Sequence, residues 1–267
     1  LTLNCNYHCS YCINYFENNS LHGGVISGKD WVKGLNRIVP RDDLPITLQG
    51  GEPSIHKDFI YIINNIKPEL KIDILTNIQF DVDKFIKHVD PERIKRDASY
   101  ASIRVSYHPE AMDLDETFSK VLRLQEKGFS VGIWVVLHPG QTGAIFTAQE
   151  KAKEMGIDFR VKEFLGYYKD SLYGTYKYED ACKKELRKSC FCRTTELIIG
   201  PSGSVYRCHS DLYESRKPIG SILDSDFEIR YEFLPCGQFG FCNPCDIKIK
   251  TNRFQQFGHT SVDLILK

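Results

Sequence analysis

Charge of one sign in excess is what this chain of 267 residues lacks: 35 lysines and arginines meet 35 aspartates and glutamates, and the formal net charge is zero. A nucleic-acid partner bound chiefly through its phosphates is therefore not expected, because such binding rests on a cationic surplus. Long apolar runs are missing as well. No stretch reaches the ~20 residues that a bilayer-spanning helix needs, so no membrane partner is expected. No secretory leader is visible, and ten cysteines without one point to a reducing cytoplasm, where thiols are kept for metal and not for disulfides. Leu1 falls inside the first expected strand, so further sequence is expected ahead of it. With 42% hydrophobic residues the chain can bury a full core, and its length suits one barrel with a small appended domain. The KKELRK run from Lys183 to Lys188 reads as a solvated helix face.

What is there is cysteine in informative places. Cys5, Cys9 and Cys12, in CNYHCSYC, are spaced C-x3-C-x2-C. A cubic iron-sulfur cluster has four irons, each normally taking one thiolate, so three cysteines leave one iron open. An open coordination position is what separates catalytic from structural metal sites. A C-x2-C core also occurs in zinc sites. Further on, Gln49-Gly50-Gly51-Glu52-Pro53 follows Leu44 to Leu48, an apolar run that reads as a strand. Taken alone it is an ordinary turn, although glycines also let backbone come close to a ligand.

The two segments together resemble a known family. C-x3-C-x2-C with the aromatic Tyr11 before the last cysteine, followed about one βα unit later by GGEP, is similar to the pattern of the radical S-adenosylmethionine (radical SAM) enzymes. The resemblance implies that the amino and carboxylate groups of S-adenosylmethionine chelate the open iron of a 4Fe-4S cluster on Cys5, Cys9 and Cys12. One electron then cleaves the sulfonium, and the resulting 5'-deoxyadenosyl radical takes hydrogen from an unactivated C–H bond. A reductant such as flavodoxin or ferredoxin is implied with it. By the same resemblance Gly50, Gly51, Glu52 and Pro53 contact the methionine amino group. Ser106 best matches a ribose contact at the end of the fourth strand, and Asn77, ending the third, lines the same pocket. Ser106 and Asn77 read equally well as residues that satisfy backbone groups at a strand end. Tyr107, His108 and Glu163 lie near the same rim, where a histidine is more often a hydrogen-bonded surface residue than a catalyst.

The rest of the first 166 residues has a matching organisation. β-Branched strand candidates recur around Ile46, Ile72, Ile103, Ile133 and Phe159, with helical patterns between them. Helical periodicity links Trp31, Leu35 and Ile38; Phe118, Val121 and Leu122; and Ile145, Ala148, Ala152 and Met155. Asp113 with Glu116 forms a capping-box pattern, and Gly128 and Gly156 sit where glycines stop helices. With Leu1 to Leu3 as first strand there are about six βα units. The expected fold class is α/β, a partial (β/α)6 barrel over residues 1–166, with its site at the carboxyl ends of the strands. A linker and helix over 167–189 and a small α+β domain over 190–267 follow.

That last part holds Cys190, Cys192, Cys208, Cys236, Cys242 and Cys245. TELIIG and SVYRC read as strands joined at Pro201-Ser202-Gly203, a hairpin that brings Cys192 and Cys208 together. Cys192-x10-Gly203-x4-Cys208 followed by Cys242-x2-Cys245 resembles the SPASM and twitch extensions of radical SAM proteins. Six cysteines cannot complete two cages. The resemblance therefore implies the shorter, twitch-like form: one auxiliary 4Fe-4S cluster on Cys192, Cys208, Cys242 and Cys245, with Cys190 and Cys236 as possible replacements. A structural zinc ribbon uses two cysteine pairs in the same way. A fully ligated cluster has no free iron for substrate, so its expected roles are to take an electron and to anchor a fold that closes the barrel mouth. Tyr206, His209 and Asp246 flank these cysteines; pattern alone singles out none of them as a proton acceptor, and each also reads as a supporting group.

The tyrosine-rich connection (Tyr167, Tyr168, Tyr173, Tyr176, Tyr178) reads as a loop and helix packed on the barrel wall, with a pocket lining as the alternative. Arg253, Gln255, Gln256 and His259 form a polar closing segment that could reach back over the site. The expected function is an oxidoreductase acting on a small polar, sugar-like metabolite. One alternative is radical modification of a peptide or protein side chain, as in peptide maturases and sulfatase maturases. The other is a non-enzymatic iron-sulfur or zinc protein that carries electrons or serves as a scaffold.

Overall fold

In the computed structural model, residues 1–13, 24–39, 44–251 and 257–266 are described. Arg253, Gln255 and Gln256 lie outside them. The chain divides into two compact units, one holding Val25–Phe164 with the first residues of the chain and the other holding Leu165–Lys267 with Gly24.

The first unit is built on a five-stranded parallel sheet. Its strands, β1 (Ile46–Leu48), β2 (Ile72–Thr76), β3 (Ile103–Tyr107), β4 (Val131–Leu137) and β5 (Phe159–Glu163), stand in sequential order. Between them run α2 (Phe59–Asn65), α3 (Val82–His88), α4 (Pro91–Ile94), α5 (Leu114–Glu126) and α6 (Thr142–Glu154), with α1 (Gly28–Leu35) ahead of β1. Parallel strands need such crossovers, and the helices cover one sheet face. On that face Ile72, Ile74, Ile103, Val105, Ile133 and Val135 are buried together with Phe118, Val121, Ile145, Ala148 and Ala152 from the helices. This is the expected α/β architecture.

Local chemistry sets the helix ends. The Asp113 side chain caps α5 by accepting from the Glu116 amide at 2.7 Å, which satisfies one of the free amides of the first turn. Gly128 and Gly156 follow α5 and α6 with φ of 86° and 69°, values a Cβ would oppose.

The expected first strand takes another form. Leu1–Asn4 is extended without being a regular strand, and it lies alongside residues 49–52. The Leu1 amino group donates to the Gln49 carbonyl at 2.7 Å. The Gly51 and Glu52 amides donate to the Thr2 and Asn4 carbonyls at 2.9 and 2.8 Å. The alignment is strand-like, but it runs past the end of β1 and so has too few partners to continue the sheet.

The second unit carries smaller sheets. β6 (Gly166–Tyr168) and β7 (Ser171–Tyr173) form a hairpin, and two 3-10 turns follow at Glu179–Cys182 and Lys184–Leu186. The helix expected over Lys183–Lys188 is thus only a single turn. Lys188 already begins β8 (Lys188–Thr194), whose pairing holds the chain extended. β8 is the middle strand between β12 (Leu234–Phe239) and β15 (Val262–Leu266), both antiparallel to it. β9 (Ile198–Ile199), β10 (Ser204–Tyr206) and β11 (Gly220–Ser221) form a second sheet, in which β9 and β10 are the hairpin read from the sequence. Gly203 turns it with φ 78°. Short helices α7 (His209–Tyr213) and α8 (Pro244–Ile247), and a strand pair, β13 (Lys250–Thr251) with β14 (Phe257–His259), complete the unit. Tyr176 and Tyr178 pack onto this unit's own cysteine-rich core.

Candidate metal and cofactor sites

Residues 5–12 form an irregular turn in which the Cys12 amide donates to the Cys9 carbonyl at 3.1 Å. Cys5 and Cys12 are exposed and Cys9 is buried. Other loops of the same unit pin this turn in place. Glu110, after β3, accepts from the Ser10 amide at 2.5 Å and the Ser10 hydroxyl at 2.8 Å. Gln141, after β4, donates to the same carboxylate at 2.9 Å. Tyr11 stacks on His138 with ring centroids 5.1 Å apart, and its hydroxyl lies 3.0 Å from His108 Nδ1. Burial lowers the His108 pKa, partly countered by Glu110, so the neutral imidazole can accept the phenol proton. Burial, then the neighbouring Cys12 and Glu110 charges, push the Cys9 thiol up to about 12. Cys5 is likewise raised by burial. A cation arriving at these thiols would displace protons, and three soft sulfur donors in one turn fit an iron-sulfur cluster.

The GGEP segment docks this turn on the sheet. A Cβ on Gly50 would collide with the Thr2 carbonyl oxygen, and one on Gly51 with the Asn4 carbonyl. The glycines therefore admit backbone to backbone, one residue ahead of Cys5. Glu52 is only 1% exposed. Its Oε1 accepts from the Ser54 amide at 3.0 Å and the Thr76 hydroxyl at 2.7 Å, and its Oε2 from the Asn77 amide at 2.6 Å. A carboxylate has about four lone-pair sites, so one remains on Oε2 for another donor. Pro53 starts a short 3-10 turn that Glu52 caps.

Asn77, at the end of β2, reaches the cysteine turn. Its side-chain amide donates to Asn6 Oδ1 at 2.7 Å and stands 3.9 Å from Cys5 Sγ. The next residue, Ile78, is fully buried with φ 58°, which is strained for a β-branched side chain. Its amide donates to the Thr76 hydroxyl at 3.0 Å, so the Glu52 network that positions Asn77 also holds this strain. Ser106 stands opposite Trp134 on the sheet face not covered by helices. Towards the amino ends of the strands, the same face carries Asp73 with Arg104 at 3.3 Å and Arg96 at 2.6 Å, and the Arg160–Trp134 stack. No motif or spacing marks Glu110, Gln141 or His138 in the sequence. Glu110 acts on a residue 100 positions away, which no local spacing signals.

In the second unit, Cys192, Cys208, Cys236 and Cys242 line one small cavity, with Asp246 beside them. Cys192 and Cys190 face inward from β8. Cys208 caps α7, accepting from the Asp211 amide at 3.3 Å. The Cys242 amide donates to the Ala181 carbonyl at 2.9 Å. Cys245, in α8, has Lys250, Asp246, Lys248 and Glu196 as its charged neighbours. Burial is the first cause that pushes the thiols up, Cys192 to about 12 and Cys208 and Cys242 well above the usual range. Asp246, 1% exposed, accepts from the His209 amide at 2.8 Å and the Ser210 amide at 3.0 Å, and pairs with His209 Nδ1 at 2.7 Å. Tyr206 ends β10, two residues before Cys208. His259 contacts Glu196 at 3.1 Å, beside Lys250 and Ser261. Four soft thiols about one cavity fit an iron-sulfur cluster or zinc. As the side chains stand, no group of three or more His, Cys, Asp or Glu among the described residues is drawn together closely enough to hold a metal ion, so the fit rests on the chemistry of the donors. No helix among them is long and apolar enough to cross a membrane.

A parallel sheet with a three-cysteine turn docked at the carboxyl end of β1 is the layout of the radical SAM partial barrel, and the chain has that fold. Among solved structures it is similar to native anSMEcpe, an anaerobic sulfatase-maturating enzyme, with bound AdoMet and Kp18Cys peptide. The TM-score is 0.53 at 18% identity, over 84% of this chain and 76% of the other. Native anSMEcpe with bound AdoMet gives the same values. With bound AdoMet and Cp18Cys peptide the TM-score is 0.51 at 16% identity, over 84% and 75%. No protein-family model and no curated protein matches the chain.

Proposed function

We propose that this protein is a radical SAM enzyme that abstracts hydrogen from a peptide or protein side chain, with an auxiliary cluster as electron acceptor. The observation that carries the reading is the docking of the Cys5–Cys12 turn against Gly50-Gly51-Glu52, on a fold shared with AdoMet-bound structures. Cys5, Cys9 and Cys12 would hold the 4Fe-4S cluster. When bound, that cluster supplies the electron that cleaves S-adenosylmethionine to a 5'-deoxyadenosyl radical.

The chain's own residues orient and shield. Gly50, Gly51 and Pro53 shape the backbone, and the free Oε2 position of Glu52 is an acceptor for the methionine amino group. Asn77 holds the Cys5 side of the turn. Tyr11, fixed by His108 and His138, offers a flat apolar wall, and Ser106 a hydroxyl for the ribose. A peptide substrate is favoured because structures of the same fold carry cysteine peptides. A small sugar-like metabolite is the second reading. Flavodoxin or ferredoxin would supply the first electron, and ten free thiols fit a reducing cytoplasm.

The test uses anaerobically reconstituted, dithionite-reduced protein given S-adenosylmethionine and a cysteine-containing peptide. The expected result is 5'-deoxyadenosine formation, with the peptide lighter by two hydrogens. No 5'-deoxyadenosine despite full iron loading defeats the enzyme reading. Formation that no peptide stimulates and a sugar does would move the substrate to the small-metabolite class.

A further inference from the structure

We infer that the auxiliary cage of this chain is closed by Cys236, so that its four thiolates are Cys192, Cys208, Cys236 and Cys242, while Cys245 stands outside. The inference rests on the proposed function only in taking the second unit's group to be iron-sulfur.

Three independent placements support it. First, the four sulfurs named are the cysteines that line the common cavity, and Cys245 is not among its walls. Second, strand pairing fixes the face. Cys236 lies opposite Cys190 and Leu234 opposite Cys192 in the antiparallel β12–β8 pair. Residues opposite one another share a face, so Cys236 is the diagonal neighbour of Cys192 on the inward side of β8. A C-x2-C pattern draws attention to Cys242 and Cys245, whereas the register that delivers Cys236 exists only once β12 has paired. Third, the surroundings differ in kind. Arg207 points a guanidinium at Cys236 Sγ, 3.7 Å away, and is held there by the Pro235 carbonyl at 3.2 Å and Asp211 at 3.2 Å. A fixed cation beside a sulfur suits a thiolate of an anionic cluster. Cys245 instead spends its backbone on Asn243 and Ser261, and its neighbours are two lysines and two carboxylates.

The deciding experiment isolates the auxiliary site by working in the Cys5→Ala, Cys9→Ala, Cys12→Ala background. Each protein is reconstituted anaerobically with ferrous iron and sulfide, and its iron, sulfide and zinc contents and reduced-state electron paramagnetic resonance are measured. The background should hold about four irons per chain. Adding Cys245→Ala should leave that content and the spectrum unchanged, whereas adding Cys236→Ala should drop the iron several-fold. Loss on Cys245→Ala, retention on Cys236→Ala, or zinc in place of iron in the background overturns the inference. Circular dichroism shows whether Cys236→Ala has kept its fold. Arg207→Met supplies a second readout that leaves all four thiols in place. It should retain the iron and shift the cluster midpoint potential to more negative values, and an unchanged potential also counts against the assignment. These outcomes are separate from the enzyme reading, which fails if the unmutated chain forms no 5'-deoxyadenosine while the iron results stand.

Discussion

The two groups of cysteines differ first in how much solvent they see. In the first unit, Cys5 and Cys12 are exposed on an irregular turn that borrows its rigidity from Glu110, Gln141, Asn77 and the Gly50-Gly51 step. In the second, Cys190, Cys192 and Cys208 are buried on a central strand and at a helix cap, among Ala181, Phe239, Ile247 and Val262. The distinction parallels that between open and closed metal sites: a turn that keeps one face to solvent can admit a second molecule, and a cage inside a core cannot. Charge differs as well. Glu110 and Glu52 lie near the first group, whereas the second has both signs beside it, Arg207 paired with Asp211 and the buried Asp246.

The sharpest way to break this contrast is to empty one side. Replacing Cys5, Cys9 and Cys12 together by alanine should abolish 5'-deoxyadenosine formation while about half of the iron remains, since each cube holds about four irons. Chromatography of the product and iron analysis of the same sample check both halves. A smaller blow to the same side is Gly51→Ala. Its Cβ meets the Asn4 carbonyl, so the cysteine turn must lift from the sheet end. A cost of about 1–3 kcal/mol in unfolding free energy is expected from overpacking, together with loss of the first cluster's spectrum and retention of the second's.

Much of this arrangement was legible in the sequence, for local reasons. The strands around Ile72, Ile103 and Ile133 announced themselves by β-branched runs, and Asp113 with Glu116 marked a helix start that the structure places there. The hairpin at Gly203 followed from turn chemistry alone. What escaped depends on contacts made across the fold. Leu1–Asn4 has strand composition, yet its partner ends at Leu48, and no rule of composition reports the partner's length. Lys183–Lys188 has helical charge spacing, but pairing of β8 with two neighbours outweighs a propensity of a few tenths of a kcal/mol per residue. Glu52 shows the limit from the other side. GGEP reads in the sequence as a ligand contact, and in the structure most of its carboxylate is committed to Ser54, Thr76 and Asn77.

The second unit can be probed by pH. Burial alone would raise the Glu196 carboxyl, but hydrogen bonds from His259 and Ser261 and the Lys250 charge more than offset it and hold the group well below the usual carboxylate range. A depressed folded-state pKa gives stability that is full above the unfolded value, near 4.5, and lost as pH falls through the folded one. Wild-type stability should therefore decline below about pH 4.5. Glu196→Gln should cost about 1–2 kcal/mol at pH 7 and flatten that part of the profile, as thermal melts across pH 3–7 would register. If the two groups of cysteines are independently supported, the first cluster's spectrum will be unchanged in this variant.

The gentlest test addresses what holds the open site. Glu110 joins the Ser10 amide, the Ser10 hydroxyl and Gln141 through one exposed carboxylate. Exposed hydrogen bonds contribute little to global stability, roughly 0.5–1.5 kcal/mol even when well made, so Glu110→Ala should shift the melting temperature by only a few degrees. Its consequence should be local. Without the carboxylate the segment between Cys9 and Cys12 loses its tie to the loop after β3, while the Tyr11 contacts to His108 and His138 and the bond from the Cys12 amide to the Cys9 carbonyl remain. Iron should then leave the first site faster under chelator challenge, and 5'-deoxyadenosine formation should fall about tenfold, for about 1.4 kcal/mol of lost positioning. Glu110→Gln keeps an acceptor without the charge and should recover part of both. A melting temperature that drops with no change in chelator sensitivity would show instead that Glu110 supports the unit as a whole, and that the glycine step, Asn77 and the Tyr11 contacts hold the exposed turn without it.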